Sequence, residues 1–239
     1  MARSKGQAPN CFTCQVRERT EWCVLTEREQ ELIETSKTAR DYLPGDVIYH
    51  QGDPCEGVFC VESGLIGLRK LDADGNSVLV RLANAGDTIG YRSFLAGESH
   101  RLGAEALKAS TVCYIPLATV RAFLQENPAL GLRFLQRTAN QLGETEEKFL
   151  QSTSLDIHAR FAHLLLVLKD RFATGTNIGP VTFELPLSRQ DMAAMIGVRP
   201  ETMSRAIRKF EEAGLARFTG RTVNVPSVES LIDAVAIDA

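Results

Sequence analysis

Two groups of residues in this 239-residue chain have types and spacing that could do chemistry. Near the start, the segment CFTCQVRERTEWC sets Cys11, Cys14 and Cys23 among charged residues, with no helical or strand period of its own. Thiols grouped in this way are metal ligands, redox sensors or small apolar fillers. Near the end, the string ETMSRAIRKF carries Glu201, Ser204, Arg205 and Arg208 between apolar residues at helical spacing. This second set has the chemistry for base edges. Arg205 can donate two bonds to a guanine, and Glu201 can accept from a cytosine amino group. Ser204 suits either base class or a thymine methyl, and Arg208 is placed for phosphate.

Composition limits what could position these groups. With 44% apolar and 24% charged residues, the chain fills one or two ordinary cores, which excludes disordered, collagen-like and disulfide-scaffold classes. Six cysteines are too sparse for a bridge framework. No run approaches the roughly eighteen apolar residues of a membrane span, and Met1 to Asn10 has no apolar signal core. The expectation is a cytoplasmic protein with reduced thiols and no membrane partner. The formal charge of −3 is unevenly spread: between Ser154 and Pro226 ten Arg or Lys stand against seven Asp or Glu, leaving the rest at −6. The C-terminal third is the locally basic part.

The elements that must hold the two groups are legible in outline. Leu25 to Ser36 reads as a short helix with Thr26 and Glu29 as a capping box and Leu32 and Ile33 on its apolar side. From Arg40 to about Pro116, turn signals (Pro44-Gly45-Asp46, Gly52-Asp53-Pro54, Ser63-Gly64, Asp74-Gly75, Gly86-Asp87) recur at roughly ten-residue spacing. That is the rhythm of a small antiparallel barrel or roll, with Val58, Val61, Leu65, Ile66 and Leu68 inside. Asn127 and Pro128 open a long helix to about Ser152, on which Leu135, Leu142 and Phe149 stand seven residues apart, the outline of a dimer seam. The intervening positions, Thr138 or Ala139 and Thr145 or Glu146, are small or polar. Glu146 carboxylates facing each other across a two-fold axis would repel, so the expected dimer is marginal and open to tuning. A second apolar helix, LDIHARFAHLLLVLKDRF, ends in the loop Ala173 to Pro180, and VTFELPL reads as a strand.

Ser188 and Asp191 form a second capping box, starting a helix that runs through Ile196 and closes at Gly197. Gly197-Val198-Arg199 is the short turn of a helix-turn-helix, and Pro200 sits in the first turn of the second helix. Met192, Met195 and Ile196 are expected to face Met203, Ile207 and Phe210. The opposite face then carries Glu201, Ser204, Arg205 and Arg208, with Arg189 and Arg199 completing the candidate DNA-binding set. In the closing hairpin RFTGRTVNVP, Arg217, Gly220 and Arg221 are candidate phosphate contacts.

The order of parts is a roll with PGDVIY followed by Gly52-Asp53 and then ESGLIGL, a long dimer helix, and a helix-turn-helix with a hairpin. It resembles the CRP/FNR family of bacterial transcription regulators over nearly the whole chain. The string Pro200-Glu201-Thr202-Met203-Ser204-Arg205 looks like the FNR branch, which reads TTGAT-type half-sites as inverted repeats. The resemblance implies an α+β fold: a cysteine-rich arm (1–24), a cyclic-nucleotide-binding-like β-roll (25–126), a dimerisation helix (127–153) and a winged helix-turn-helix domain (154–239). It also implies a homodimer on double-stranded DNA, no enzyme activity, and a contact of the loop Asp72 to Ser77 with RNA polymerase.

For the effector, the resemblance implies a [4Fe-4S] cluster. Cys11, Cys14 and Cys23 have C-x2-C-x8-C spacing, and Cys113 lies in TVCYIP, similar to the strand that carries the family's fourth ligand. Cys55 and Cys60 read instead as a loop thiol and a core filler, and the four histidines as ordinary surface or half-buried residues. Two other readings of the thiols remain open: a redox dithiol at Cys11 and Cys14, or zinc at all four. A third places a small molecule in the roll beside idle cysteines. The family's nucleotide binders carry a glutamate after the glycine corresponding to Gly90, and here that stretch is GYRSFLAGESHR, with Arg101 its one matching arginine.

Overall fold

A computed structural model of the chain describes residues 10–72, 75–173 and 179–236. Parts of the terminal arm, of the Asp72 to Ser77 loop and of the Ala173 to Pro180 loop named above lie outside the described residues. The chain divides into two compact units, Met1–Leu142 and Gly143–Ala239.

In the first unit, two 3-10 turns, Arg17–Arg19 and Glu21–Val24, give the arm more order than its lack of period suggested. Helix α1 (Glu27–Ser36) starts at the expected capping box, in which Thr26 and Glu29 bond each other's backbone N–H. Ile33 is buried but Leu32 is exposed, because only one of two adjacent residues can face the sheet beneath. Eight strands follow: β1 (Thr38–Tyr42), β2 (Val47–Tyr49), β3 (Gly57–Ser63), β4 (Leu65–Leu71), β5 (Ser77–Asn84), β6 (Thr88–Ile89), then, after helix α2 (Tyr91–Ala96), β7 (Gly103–Ala106) and β8 (Ser110–Pro116). They form two antiparallel sheets, in the orders β1-β8-β3-β6 and β2-β7-β4-β5. Val61, Ile66 and Leu68 lie in the core between the sheets, with Tyr49, Ile89 and Val112. Helices α3 (Leu117–Glu126) and α4 (Pro128–Ser154) complete the run.

The strands alternate cleanly. Phe59, Val61 and Val112 turn into the roll, while Val58, Cys60, Cys113 and Ile115 face outward into a second core. That outer core is closed by Trp22 and Leu25 of the arm, Ile33 of α1, Tyr91 and Phe94 of α2, Phe123 of α3, and Leu130 and Phe134 of α4. The central strands β3 and β8 of that sheet are therefore packed on both faces.

The second unit holds the C-terminal part of α4, then α5 (Ile157–Phe172), β9 (Val181–Glu184), α6 (Arg189–Met195), α7 (Pro200–Glu212), β10 (Arg217–Thr219), β11 (Thr222–Val225) and α8 (Val228–Ala236). The three strands make a small sheet in the order β10-β11-β9. Asp156 caps α5 through the Ala159 N–H at 2.8 Å, and α5 packs on α8. Phe161 of α5 meets Phe210 of α7 with ring centroids 4.6 Å apart and Phe218 of β10 at 6.0 Å. No helix among the described residues is long and apolar enough to cross a membrane.

Candidate functional site

The outward face of the first sheet holds a cavity lined by Cys11, Cys14, Cys60 and Cys113 together with Lys37 and Trp22. Its free volume is about 40 Å³, room for a water or two, so a larger group enters only as the lining side chains rearrange. Cys60 and Cys113 are direct cross-strand partners of β3 and β8, and both are 8% exposed. Cys11 is tied in from the arm: its backbone N–H donates to Glu34 Oε2 at 2.7 Å, and its sulfur accepts from Lys37 Nζ at 3.0 Å. Lys37 also donates to Glu34 Oε2 at 2.7 Å and is buried. Of the four cysteines singled out as ligands, three meet here. Cys23 does not line the cavity, and Cys60, read as a core filler, does.

Electrostatics follow from burial and the lysine. Burial pushes the Cys113 thiol up to about 12 and the Cys60 thiol well above the ordinary range. Burial also raises Cys11, against the pull of Lys37. Burial works against the Lys37 ammonium, but its bonds to Cys11 and Glu34 hold its pKa above the usual lysine value, so it stays charged. Cys11, Cys60 and Cys113 are thus neutral thiols beside a fixed cation, and metal loading releases protons. The buried indole N–H of Trp22 has no acceptor among the described residues. Soft sulfur donors, a buried cation and an orphaned N–H fit an anionic, sulfide-rich group. No three His, Cys, Asp or Glu among the described residues are grouped to hold a single metal ion. Thiolates on separate irons of one cube stand farther apart than the ligands of one ion.

Beside the cavity, the turn Glu21–Val24 is locked to α4. Glu21 is 3% exposed, forms an ion pair with Arg137 of α4 and accepts from the Thr88 hydroxyl. Arg137 also donates to Asp87 Oδ1 at 2.7 Å and to the Gly86 carbonyl at 3.3 Å. Trp22 packs edge-on against Phe134 of α4, with centroids 5.6 Å apart. The arm that carries the thiols therefore bears directly on the long helix. Along that helix Leu135, Leu142 and Phe149 are 64%, 60% and 70% exposed, and Glu146 is exposed with them.

In the second unit the expected turn forms as read. Ser188 and Asp191 make the capping box, Gly197 closes α6 with φ +68°, and Pro200 opens α7. Only glycine adopts that φ without strain, and Arg160 Nη1 pins the turn by donating to the Ile196 carbonyl at 2.9 Å. Met203, Ile207 and Phe210 are buried, as are Met192 and Ile196; Met195 is half-buried. Glu201, Ser204, Arg205 and Arg208 line the exposed face of α7, and Arg189 and Arg199 are exposed at the starts of α6 and α7. The Ser204 hydroxyl donates back to the Pro200 carbonyl at 3.0 Å. The β10–β11 hairpin is tied to α7 where the Phe218 N–H donates to Glu211 Oε1.

The roll has a separate cavity of about 400 Å³, lined among others by Arg40, Tyr42, Tyr49, Phe59, His100 and Tyr114. His100 is buried, against expectation, because its ring stacks on Tyr49 at 3.9 Å; burial holds its pKa below the ordinary histidine value. Arg101 is exposed, pairs with Glu98 and does not line this cavity.

Comparison with known sequences and structures gives these geometries a context. The profile of the Cyclic nucleotide-binding domain matches residues 39–127, and that of the Crp-like helix-turn-helix domain matches residues 159–234. Electron transport regulator A of Shewanella oneidensis is 27% identical over 81% of this chain and 75% of its own. The Fumarate and nitrate reduction regulatory protein of Escherichia coli K12 is 24% identical over 96% of this chain and 91% of its own. The structure of FixK2 from Bradyrhizobium japonicum superposes with a TM-score of 0.71 at 27% identity, covering 83% of this chain and 96% of that one. A sensor roll joined to a DNA-reading domain defines a DNA-binding regulator of transcription rather than an enzyme. The chain belongs to the CRP/FNR family of transcription regulators.

Proposed function

We propose that the protein is an FNR-type redox regulator that carries a [4Fe-4S] cluster at the thiol cavity. It acts as a homodimer in the cytoplasm and binds an inverted repeat of TTGAT-like half-sites. The observation that carries this reading is the meeting of arm thiols and sheet thiols around the buried ammonium of Lys37. The family resemblance assigns the ligands to Cys11, Cys14, Cys23 and Cys113, and the first, second and last of these line the cavity. When bound, the cluster supplies an anionic group that oxygen or nitric oxide destroys. The chain's own residues do the rest. Lys37 compensates thiolate charge, the cysteines hold the arm against the sheet, and Glu21 passes the arm's position to Arg137 of α4. The exposed stripe of Leu135, Leu142 and Phe149, with Glu146 beside it, is the pairing surface. Pairing sets two recognition helices one DNA turn apart, with Glu201, Ser204 and Arg205 on base edges and Arg189, Arg199 and Arg208 on the backbone. The loop Asp72 to Ser77 is assigned to RNA polymerase.

The test is anaerobic purification with iron and sulfide analysis. About four of each per chain are expected, with visible absorbance that bleaches in air as dimerisation and DNA affinity fall. A colourless protein, or one with zinc on its thiols, sinks the reading. Cys113→Ser removes the response in a cluster sensor, whereas a regulator driven by a small molecule in the roll keeps it.

A further inference from the structure

The cavity's four sulfurs are not the four that the resemblance names. We propose that Cys60, in place of Cys23, supplies the fourth thiolate of the cluster, so that the arm gives two ligands (Cys11, Cys14) and the roll two (Cys60, Cys113). This rests on the cluster reading above and changes its ligand set.

Three observations carry it. First, strand alternation and register place Cys60 and Cys113 side by side on the outer face of one sheet, as direct partners of β3 and β8. They form a rigid pair already at the cavity. Second, Cys11 and Cys14 reach the same cavity from the arm, with Cys11 held in place by Glu34 and Lys37. Third, Cys23 does not line the cavity. It sits in the turn Glu21–Val24 directly after two anchors, buried Glu21 paired with Arg137 and Trp22 packed on Phe134, and its own N–H bonds the Thr20 carbonyl. Carrying Cys23 into the cavity means shifting a turn that the buried Glu21–Arg137 pair holds on α4, and breaking a buried pair is strongly unfavourable. Cys60 needs no such movement.

The experiment compares full-length wild type with Cys23→Ser, Cys60→Ser and Cys60→Ala, all purified and reconstituted without oxygen. The readouts are iron and sulfide per chain, with circular dichroism and thermal melting as the check on folding. Cys23→Ser is expected to keep the wild-type iron content, and both Cys60 variants to lose nine-tenths or more of it while folded. In a second readout that needs no variant, the loaded wild type is alkylated and mapped by mass spectrometry. Cys23 should be modified while Cys11 and Cys14 are protected. The assignment is overturned if folded Cys60 variants keep their iron, if folded Cys23→Ser loses it, or if loading protects Cys23. Iron-free wild type overturns the cluster reading itself, whereas loaded wild type with loaded Cys60 variants overturns only the ligand set.

Discussion

On α7 a single residue's position decides whether it reads sequence or only charge. Arg205 lies on the exposed face one helical turn from Glu201, and Arg208 a further turn along. On the proposed reading, Arg205→Ala is expected to weaken binding by about 1–3 kcal/mol and to relax preference at one base of each half-site, as the loss of a bidentate guanine contact requires. Arg208→Ala should instead lower affinity evenly across sequences and reduce the salt slope by about 1, since a phosphate contact carries no sequence information. Fluorescence anisotropy on half-site variants at several salt concentrations separates the two. An Arg205→Ala protein that loses affinity equally for every sequence would remove Arg205 from base contact.

At the scale of elements, the Glu21–Arg137 pair joins the arm to the long helix, and its charges are buried enough for the pair to matter. Arg137→Met leaves buried Glu21 without its cation, with the Thr88 hydroxyl as its remaining side-chain donor among the described residues, and should destabilise the first unit by about 3 kcal/mol. Adding Glu21→Gln removes the stranded charge and should restore at least half of that loss, as expected when the damage comes from an unpaired ion rather than a missing contact. Urea titration followed by fluorescence reads this directly, because Trp22, the chain's one tryptophan, sits beside the pair. A double variant no more stable than Arg137→Met alone would mean that packing, not charge, holds the turn.

For the whole molecule, α4 carries an exposed apolar stripe. Leu135, Leu142 and Phe149 are exposed at seven-residue spacing on one helix, which fits a face completed by a second copy. Burying one leucine from each chain is worth about 1.5–3 kcal/mol per side chain. With both copies changed, Leu142→Glu should therefore weaken dimerisation by about a hundredfold or more. Sedimentation equilibrium on the loaded protein measures this. The monomer's melting temperature should barely move, because Leu142 touches solvent in the single chain. A variant that dimerises normally would place the pairing surface elsewhere.

Local features were legible because local forces make them. Capping boxes at Thr26 and Ser188, the glycine stop at Gly197, the seven-residue apolar spacing on α4 and the inward run Met203, Ile207 and Phe210 each depend on neighbours a few residues apart. The roll was legible as a rhythm of turns, and its interior residues Val58 and Val61 as apolar, but not which face each would take. Val61 faces into the roll and Val58 outward. A stretch such as VFCVES shows that Cys60 is apolar-flanked and buried, and nothing in it tells filler from ligand. That distinction depends on β3–β8 register, which sets Cys60 beside Cys113, 53 positions along the chain, and on the docking of α1 and the arm, which brings Lys37, Cys11 and Cys14 to the same spot. The amino-acid sequence by itself determined a family, a set of elements and a supply of thiols. Only the tertiary structure decided which thiols meet, because side-chain alternation is a local property and strand pairing is not.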